Sequence, residues 1–318
     1  MNAMATVFET PVMLRSELLA CGHSDREIAV LLRLGVLSRV RHGAYVAADV
    51  WSSADAAERH ALRVRAVVRQ ANARVVVSHG SALPLYGAPT WGVSLDDVNV
   101  TRPDARGGRR EAGVRQHRGR LMDEDVTTRH DLCVTSGTKT ALDLTTVAGT
   151  EASLCAINFL LRTGETTEAE LWQRYRTMAH DPFTLKTDLV LRLADGRHES
   201  VAEVRTAFML FRGGVPAPEP QYELCGARGE LLARLDFAWP ELGVWLEFDG
   251  REKYVKFLRK GETVVDTVLR EKQRESFIAE TTGWRCIRIT WADLQKPEAT
   301  VARILAFLRV APTVPAFT

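Results

Sequence analysis

The stretch LLARLDFAWPELGVWLEFDG, residues 231–250, decides the fold of the C-terminal part of the chain. Apolar side chains alternate with other residues on both sides of Pro240, and alternation with a period of two is typical of β-strands. The flanking sequence predicts two helices and two further strands, at 200–212, 264–281, 221–225 and 284–290. This order of elements predicts a mixed α/β domain around a short central sheet.

Acidic residues lie on both predicted strands of this stretch. Glu247 and Asp249 share one face of the second strand, and an antiparallel pairing brings Asp236 of the first strand close to them. Neighbouring carboxylates repel unless a cation offsets their charge, so the pattern predicts a hard divalent ion, with magnesium as the default and manganese as an alternative. Such an ion supports phosphodiester hydrolysis. The alternative is that these acids are surface charges at strand edges.

Four segments of this region resemble one family when they are taken together. They are L-D-F-A-W-P-E, V-W-L-E-F-D-G-R-E-K-Y, R-E-K-Q-R-E and G-W-R-C-I-R-I-T-W, and they are similar to the Vsr-like branch of the PD-(D/E)XK endonucleases. The resemblance implies a restriction-endonuclease-like fold in which Asp236, Glu247 and Asp249 bind metal. It also matches Glu203 to a helix glutamate that completes the metal site, although Ser200 to Glu203 equally has the form of a capping box.

The chain departs from that family at the position of the catalytic lysine. Asp249 stands two residues after Glu247, where a lysine is usual. Lys253 and Lys272 are therefore the candidates for the water-activating cation, and an inactive domain that only binds DNA is the alternative. Arg274 of the long helix either holds phosphates or forms surface ion pairs.

The first 50 residues have the pattern of a winged helix-turn-helix. One helix is predicted from Thr10-Pro11 to Gly22, and a second begins at the capping box Ser24-x-x-Glu27. Two short strands then flank the turn at His42-Gly43. In such a unit the second helix and the wing contact DNA. The predicted contacts are Arg26, Arg33, Arg39, Arg41 and His42. The alternative is a helical pair and hairpin used only for packing.

The wing sequence RVRHGAY, residues 39–45, resembles the N-terminal winged-helix domain of AbiEi-type antitoxins. The resemblance continues more weakly through VVVSHGSALPLYG, VNVTRP and VTSGTKTALDL, which look like the middle region of that family. It implies promoter binding and a cognate toxin protein as a partner. The function expected from the whole chain is therefore a DNA-binding, magnesium-dependent endonuclease, or alternatively an AbiEi-like autorepressor with an inactive nuclease-fold domain.

The length of 318 residues predicts several domains. They are a winged helix-turn-helix at 1–50, an α+β middle domain at 51–190 and the nuclease domain at 191–318. The 42 Lys and Arg residues nearly balance the 40 Asp and Glu residues, so binding to DNA must depend on local clusters of positive charge. Seven arginines within residues 102–120 either follow a phosphate backbone or are simply solvated.

Cysteine usage and hydropathy indicate the compartment. The five cysteines include no CxxC pair, which argues against a zinc knuckle and a disulfide framework. No run of about 18 apolar residues occurs, and the N-terminus lacks the pattern of a secretion signal. We therefore expect a cytoplasmic protein without a membrane span.

Overall fold

The computed structural model describes residues 7–104, 108–178, 184–226, 228–249 and 264–310, with the backbone alone for residues 264–272 and 310. The chain divides after Ala194 into two compact units. Three sheets and many helices make up the described residues, which confirms a multidomain α+β architecture. The predicted division into three domains is finer than these two units and stays a prediction. None of the helices in the described ranges is long and apolar enough to cross a membrane.

The N-terminal part of the first unit combines short helices with a three-stranded sheet of order β1-β3-β2. Its elements are β1 (Met13–Leu14), α1 (Arg15–Ala20), α2 (Asp25–Arg33), β2 (Leu37–Arg41), β3 (Ala44–Ala47), α3 (Ala48–Ser53) and α4 (Ala56–Gln70). The predicted capping box of α2 is present, because Ser24 and Glu27 each bind the other's backbone N–H. The prediction that α1 begins at Thr10 is wrong, because Met13 and Leu14 pair with β3 as a strand.

The rest of the first unit is a six-stranded mixed sheet followed by helices. The strands are β4 (Val76–Val77), β5 (Val98–Thr101), β6 (Arg110–Glu111), β7 (Val114–His117), β8 (Val126–Arg129) and β9 (Leu132–Thr135), in the order β6-β7-β5-β4-β9-β8. The helices are α5 (Gly137–Val147), α6 (Thr150–Arg162), α7 (Glu168–Arg176) and α8 (Thr187–Leu193). The short strand β4 is buried at the centre of the sheet and pairs with both β5 and β9.

The second unit has the predicted order of helix, three strands, helix and strand. Its elements are α9 (Val201–Arg212), β10 (Glu219–Cys225), β11 (Leu231–Trp239), β12 (Val244–Phe248), α10 (Val264–Thr282), β13 (Arg285–Ile289), α11 (Trp291–Leu294) and α12 (Pro297–Val310). The sheet order is β10-β11-β12-β13, and only β12 and β13 run parallel in it. One core contains Phe237 and Leu246 with residues of α9 and α12, and a second contains Trp245 with Ile278 of α10.

Strand β11 breaks its alternation at Asp236. Leu235 belongs to the core that contains Trp245, whereas Phe237 belongs to the core that contains Leu246, although a regular strand would place both on one face. The predicted single alternation along this strand is therefore wrong. The break coincides with an irregularity in the opposite strand, where Gln221 lies between the paired residues Pro220 and Tyr222 and has φ +51.

Candidate functional site

Asp236 lies where β11 separates from β12. The described ladder between these strands ends at the pair Phe237 and Leu246. Beyond that pair, the Phe248 N–H donates a hydrogen bond to Asp236 Oδ2 at 3.0 Å. The Asp236 carboxylate is thus bound to the backbone at the end of β12, immediately before Asp249.

Glu203 is a buried neighbour of Asp236. It lies in the first turn of α9 and is 3% exposed. Its carboxylate accepts hydrogen bonds from Ser200 Oγ at 2.6 Å, from the Glu199 N–H at 2.8 Å and from Gln221 Nε2 at 2.8 Å. Burial raises the pKa of Glu203 and the charge of Asp236 raises it further, while these hydrogen bonds lower it. Glu203 therefore contacts the N-terminus of α9 and also lies within electrostatic reach of Asp236.

Glu247 is held by an arginine of the long helix. It forms an ion pair with Arg274 of α10, so Arg274 bridges two elements of the unit. The charge of Glu247 also contributes to the raised pKa of the neighbouring Cys286 thiol, about 12, of which burial is the largest cause. The negative charge of Glu247 is therefore balanced by Arg274 of the same chain.

Asp249 follows β12 and lies near Arg288 of β13. Its Oδ2 is 4.0 Å from Arg288 Nη1, and its N–H donates to Ile289 O at 2.8 Å. Arg288 Nη2 also lies 2.6 Å from Glu275 Oε2. The hydrogen bond from the Asp249 N–H fixes this residue at the end of the parallel strand pair. Acidic and basic side chains lie close together there.

These residues fit a divalent cation only in part. Within the described ranges, no group of three or more His, Cys, Asp or Glu residues is arranged to hold a metal ion. Asp236 and Glu203 fit magnesium by donor type and by their mutual repulsion, which a cation would relieve. Glu247 does not fit while it is paired with Arg274. Lys253 and the side chain of Lys272 lie outside the described residues.

Four of the five predicted DNA contacts are exposed. Arg26 and Arg33 lie on the outer surface of α2, and Arg39 and His42 lie on the wing. Arg41 differs from them because it is half-buried, and its Nη2 donates to Ala112 O at 3.4 Å. Burial lowers the pKa of its guanidinium. Arg41 thus faces the β6–β7 turn, whereas the other four side chains are open to solvent.

A polar cluster that the sequence analysis did not assign is buried in the first unit. We call it the buried polar cluster, and its members are Ser78, His79, Asn99, Thr101, His117, Lys139 and Asp143. The rings of His79 and His117 stack with their centroids 3.5 Å apart. His117 Nε2 lies 2.7 Å from Asn99 Oδ1. The three segments that resemble the AbiEi middle region thus meet at one place.

Charged and strained groups lie at the centre of this cluster. Lys139 and Asp143 form an ion pair, and each is at least nine-tenths buried. Asp143 Oδ2 accepts no hydrogen bond from the residues that the structure describes, and it lies 3.9 Å from His79 Nδ1. His79 has φ +52, and burial together with the charge of Lys139 lowers its pKa to about 3. The sequence signal was the presence of His79, Lys139 and Asp143 close to buried apolar residues such as Val77 and Leu142.

Comparison with known proteins gives no function. No protein-family model matches the chain. Two proteins of Mycobacterium tuberculosis, "Uncharacterized protein MT2308" of strain CDC 1551 / Oshkosh and "Uncharacterized protein Rv2248" of strain H37Rv, are each 32% identical to it over 120 residues, or 37% of this chain. The match spans 41% of the length of each relative.

Proposed function

We propose that this protein acts on DNA and that its second unit is a magnesium-dependent endonuclease domain. The observation that carries the proposal is that Asp236 lies within electrostatic reach of the buried Glu203 and accepts a hydrogen bond from the N–H of Phe248, the residue before Asp249. The resemblance of this region to Vsr-like PD-(D/E)XK endonucleases supports it. The exposed cations on α2 and the wing support DNA as the substrate.

Each residue has a defined part in this proposal. Asp236 and Glu203 would hold the cation, which when bound supplies charge neutralisation at the scissile phosphate and a lowered pKa of its water. Gln221 fixes Glu203 by its hydrogen bond, and the Phe248 N–H fixes Asp236. Arg26, Arg33, Arg39 and His42 would bind phosphates through a winged helix-turn-helix at residues 1–50.

A plasmid cleavage assay tests the endonuclease. Purified protein should nick or cut DNA with magnesium or manganese and stop when EDTA is added. Asp236→Asn and Glu203→Gln should each lower the cleavage rate by about 100-fold or more, because both remove a ligand of the cation. Glu241→Gln, an exposed acid in the turn between β11 and β12, is the matched control. Equal cleavage by all four proteins would contradict the proposal.

A second candidate is an AbiEi-like antitoxin and autorepressor with an inactive nuclease fold. Two features favour it. Glu247 is neutralised by Arg274 of the same chain and not left free for a metal ion. Asp249 also stands where the catalytic lysine is usual. The protein should then shift its own promoter DNA on a gel without cutting it. Arg33→Ala and Arg39→Ala should weaken this shift, and a cognate toxin should bind the purified protein.

A further inference from the structure

A groove in the first unit lies between the wing turn and the six-stranded sheet. Its volume is about 570 Å³, which falls within the roughly 300–1,000 Å³ typical of small-molecule sites. Most of its wall is apolar and is formed by Val67, Ala71, Val75, Val100 and Val114. Gln70 Nε2 donates to His42 O at 2.9 Å, which joins the wing turn to α4 at one side of the groove.

Arg41 brings a positive charge to this groove. Its guanidinium is half-buried, and Nη2 donates a hydrogen bond to Ala112 O at 3.4 Å. Within the described ranges no carboxylate forms an ion pair with it, and desolvation is what lowers its pKa. Glu111 also lines the groove, but its side chain is 69% exposed and its Oε2 lies 3.5 Å from Arg109 Nε. The groove thus contains a partly desolvated cation that lacks an anion.

We propose that this groove binds a small monocarboxylate with an apolar body. The carboxylate would pair with Arg41, because a guanidinium matches the planar geometry of a carboxylate and offers it two N–H donors. The hydrocarbon part would contact the valine-lined wall and leave water. A cationic ligand would repel Arg41, and a neutral one would leave its charge uncompensated. The proposal does not depend on any action on DNA.

Calorimetric titration of the full chain with octanoate tests the site. We expect saturable binding in the millimolar range or tighter, and binding of 1-octanol at least about fivefold weaker, because the alcohol lacks the charge. Arg41→Gln should weaken octanoate binding by about fivefold or more, since it removes the charged guanidinium while keeping a polar, uncharged side chain. Val75→Trp should weaken it as well by filling the groove.

Arg162→Gln is the control, because Arg162 of α6 is exposed and does not line the groove. It should leave the affinity for octanoate within about twofold of wild type. Absence of saturable binding, equal affinity for octanoate and octanol, or unchanged affinity in Arg41→Gln would each overturn the proposal. The comparison of octanoate with octanol uses wild-type protein alone, so it remains decisive if a variant fails to fold.

Discussion

Lys139 and Asp143 lie one helical turn apart on α5 and form an ion pair in the interior of the first unit. Burial raises the pKa of Asp143, and the charge of Lys139 opposes that shift. Two buried charges are costly to desolvate, and removal of one partner leaves the other uncompensated. The pair is therefore more sensitive to single substitutions than an exposed ion pair such as that of Arg192 with Asp188.

Lys139→Met should lower the free energy of unfolding by about 3–5 kcal/mol at neutral pH, because it strands the Asp143 carboxylate in the core. Urea denaturation followed by circular dichroism measures this. Arg192→Gln, which breaks an exposed pair of the same i,i+4 spacing, should cost at most about 1 kcal/mol. The double variant Lys139→Met/Asp143→Leu should recover part of the loss. If Lys139→Met and Arg192→Gln both lower the unfolding free energy by a similar small amount, Lys139 does not stabilise the buried carboxylate of Asp143.

His79 makes stability depend on pH. Its pKa is about 3 in the folded chain, against 6.5 as the ordinary value, because it is buried beside Lys139 and within reach of the charge of Arg115. Between these values the unfolded chain binds a proton that the folded chain does not, so stability is present above pH 6.5 and is lost as the pH falls toward 3. The free energy of unfolding should fall, through His79 alone, by up to about 1.4 kcal/mol per pH unit.

His79→Gln should therefore show a weaker dependence of unfolding free energy on pH between pH 6.5 and 5, measured by urea titrations. The exposed control His42→Gln should keep the wild-type dependence.

At the scale of elements, α5 begins in close contact with the loop after α6. A Cβ added at Gly137, the first residue of α5, would lie 2.2 Å from Glu165 O. Backbone cannot move aside as a flexible side chain does. Because α5 carries both Lys139 and Asp143, a shift of this helix would also disturb the buried polar cluster.

Gly137→Ala should therefore destabilise the protein by about 1–3 kcal/mol, the usual cost of overpacking an ordered site. Differential scanning calorimetry measures the shift in melting temperature. Gly119→Ala is the matched control, since a Cβ there meets no atom within 4 Å. If both variants melt at the wild-type temperature, the contact of α5 with residue 165 is looser than described.

Local features of the helices and strands could be predicted from the sequence, whereas contacts between them could not. The order of elements in the second unit and the capping box of α2 follow from local periodicity and local hydrogen bonds, and both were predicted. The break in alternation at Asp236 was not, because it lies opposite the left-handed backbone of Gln221 in the neighbouring strand, which no local pattern of β11 reveals. The pairing of Glu247 with Arg274 likewise joins two elements whose contact no local pattern reveals.

The same limit applies to the whole molecule. The buried polar cluster joins residues from β5, β7, α5 and the turn after β4, and it forms only because the central sheet places these elements together. Sequence indicated the segments by their resemblance but assigned them no chemistry. Net charge was equally uninformative, since 42 basic and 40 acidic residues leave +2. Any affinity for DNA therefore depends on where the cations lie on the surface.

DNA binding by the full chain should therefore depend on salt through a few local contacts. The logarithm of the binding constant should fall linearly with the logarithm of salt concentration, by about 0.9 for each phosphate contacted. Arg33→Gln and Arg39→Gln should each reduce that slope by about 1, because each removes one exposed cation of the proposed interface. Fluorescence anisotropy at several salt concentrations measures the slope. Arg162→Gln, an exposed arginine of α6, should leave it unchanged. An equal slope in all four proteins would move the DNA-binding surface away from α2 and the wing.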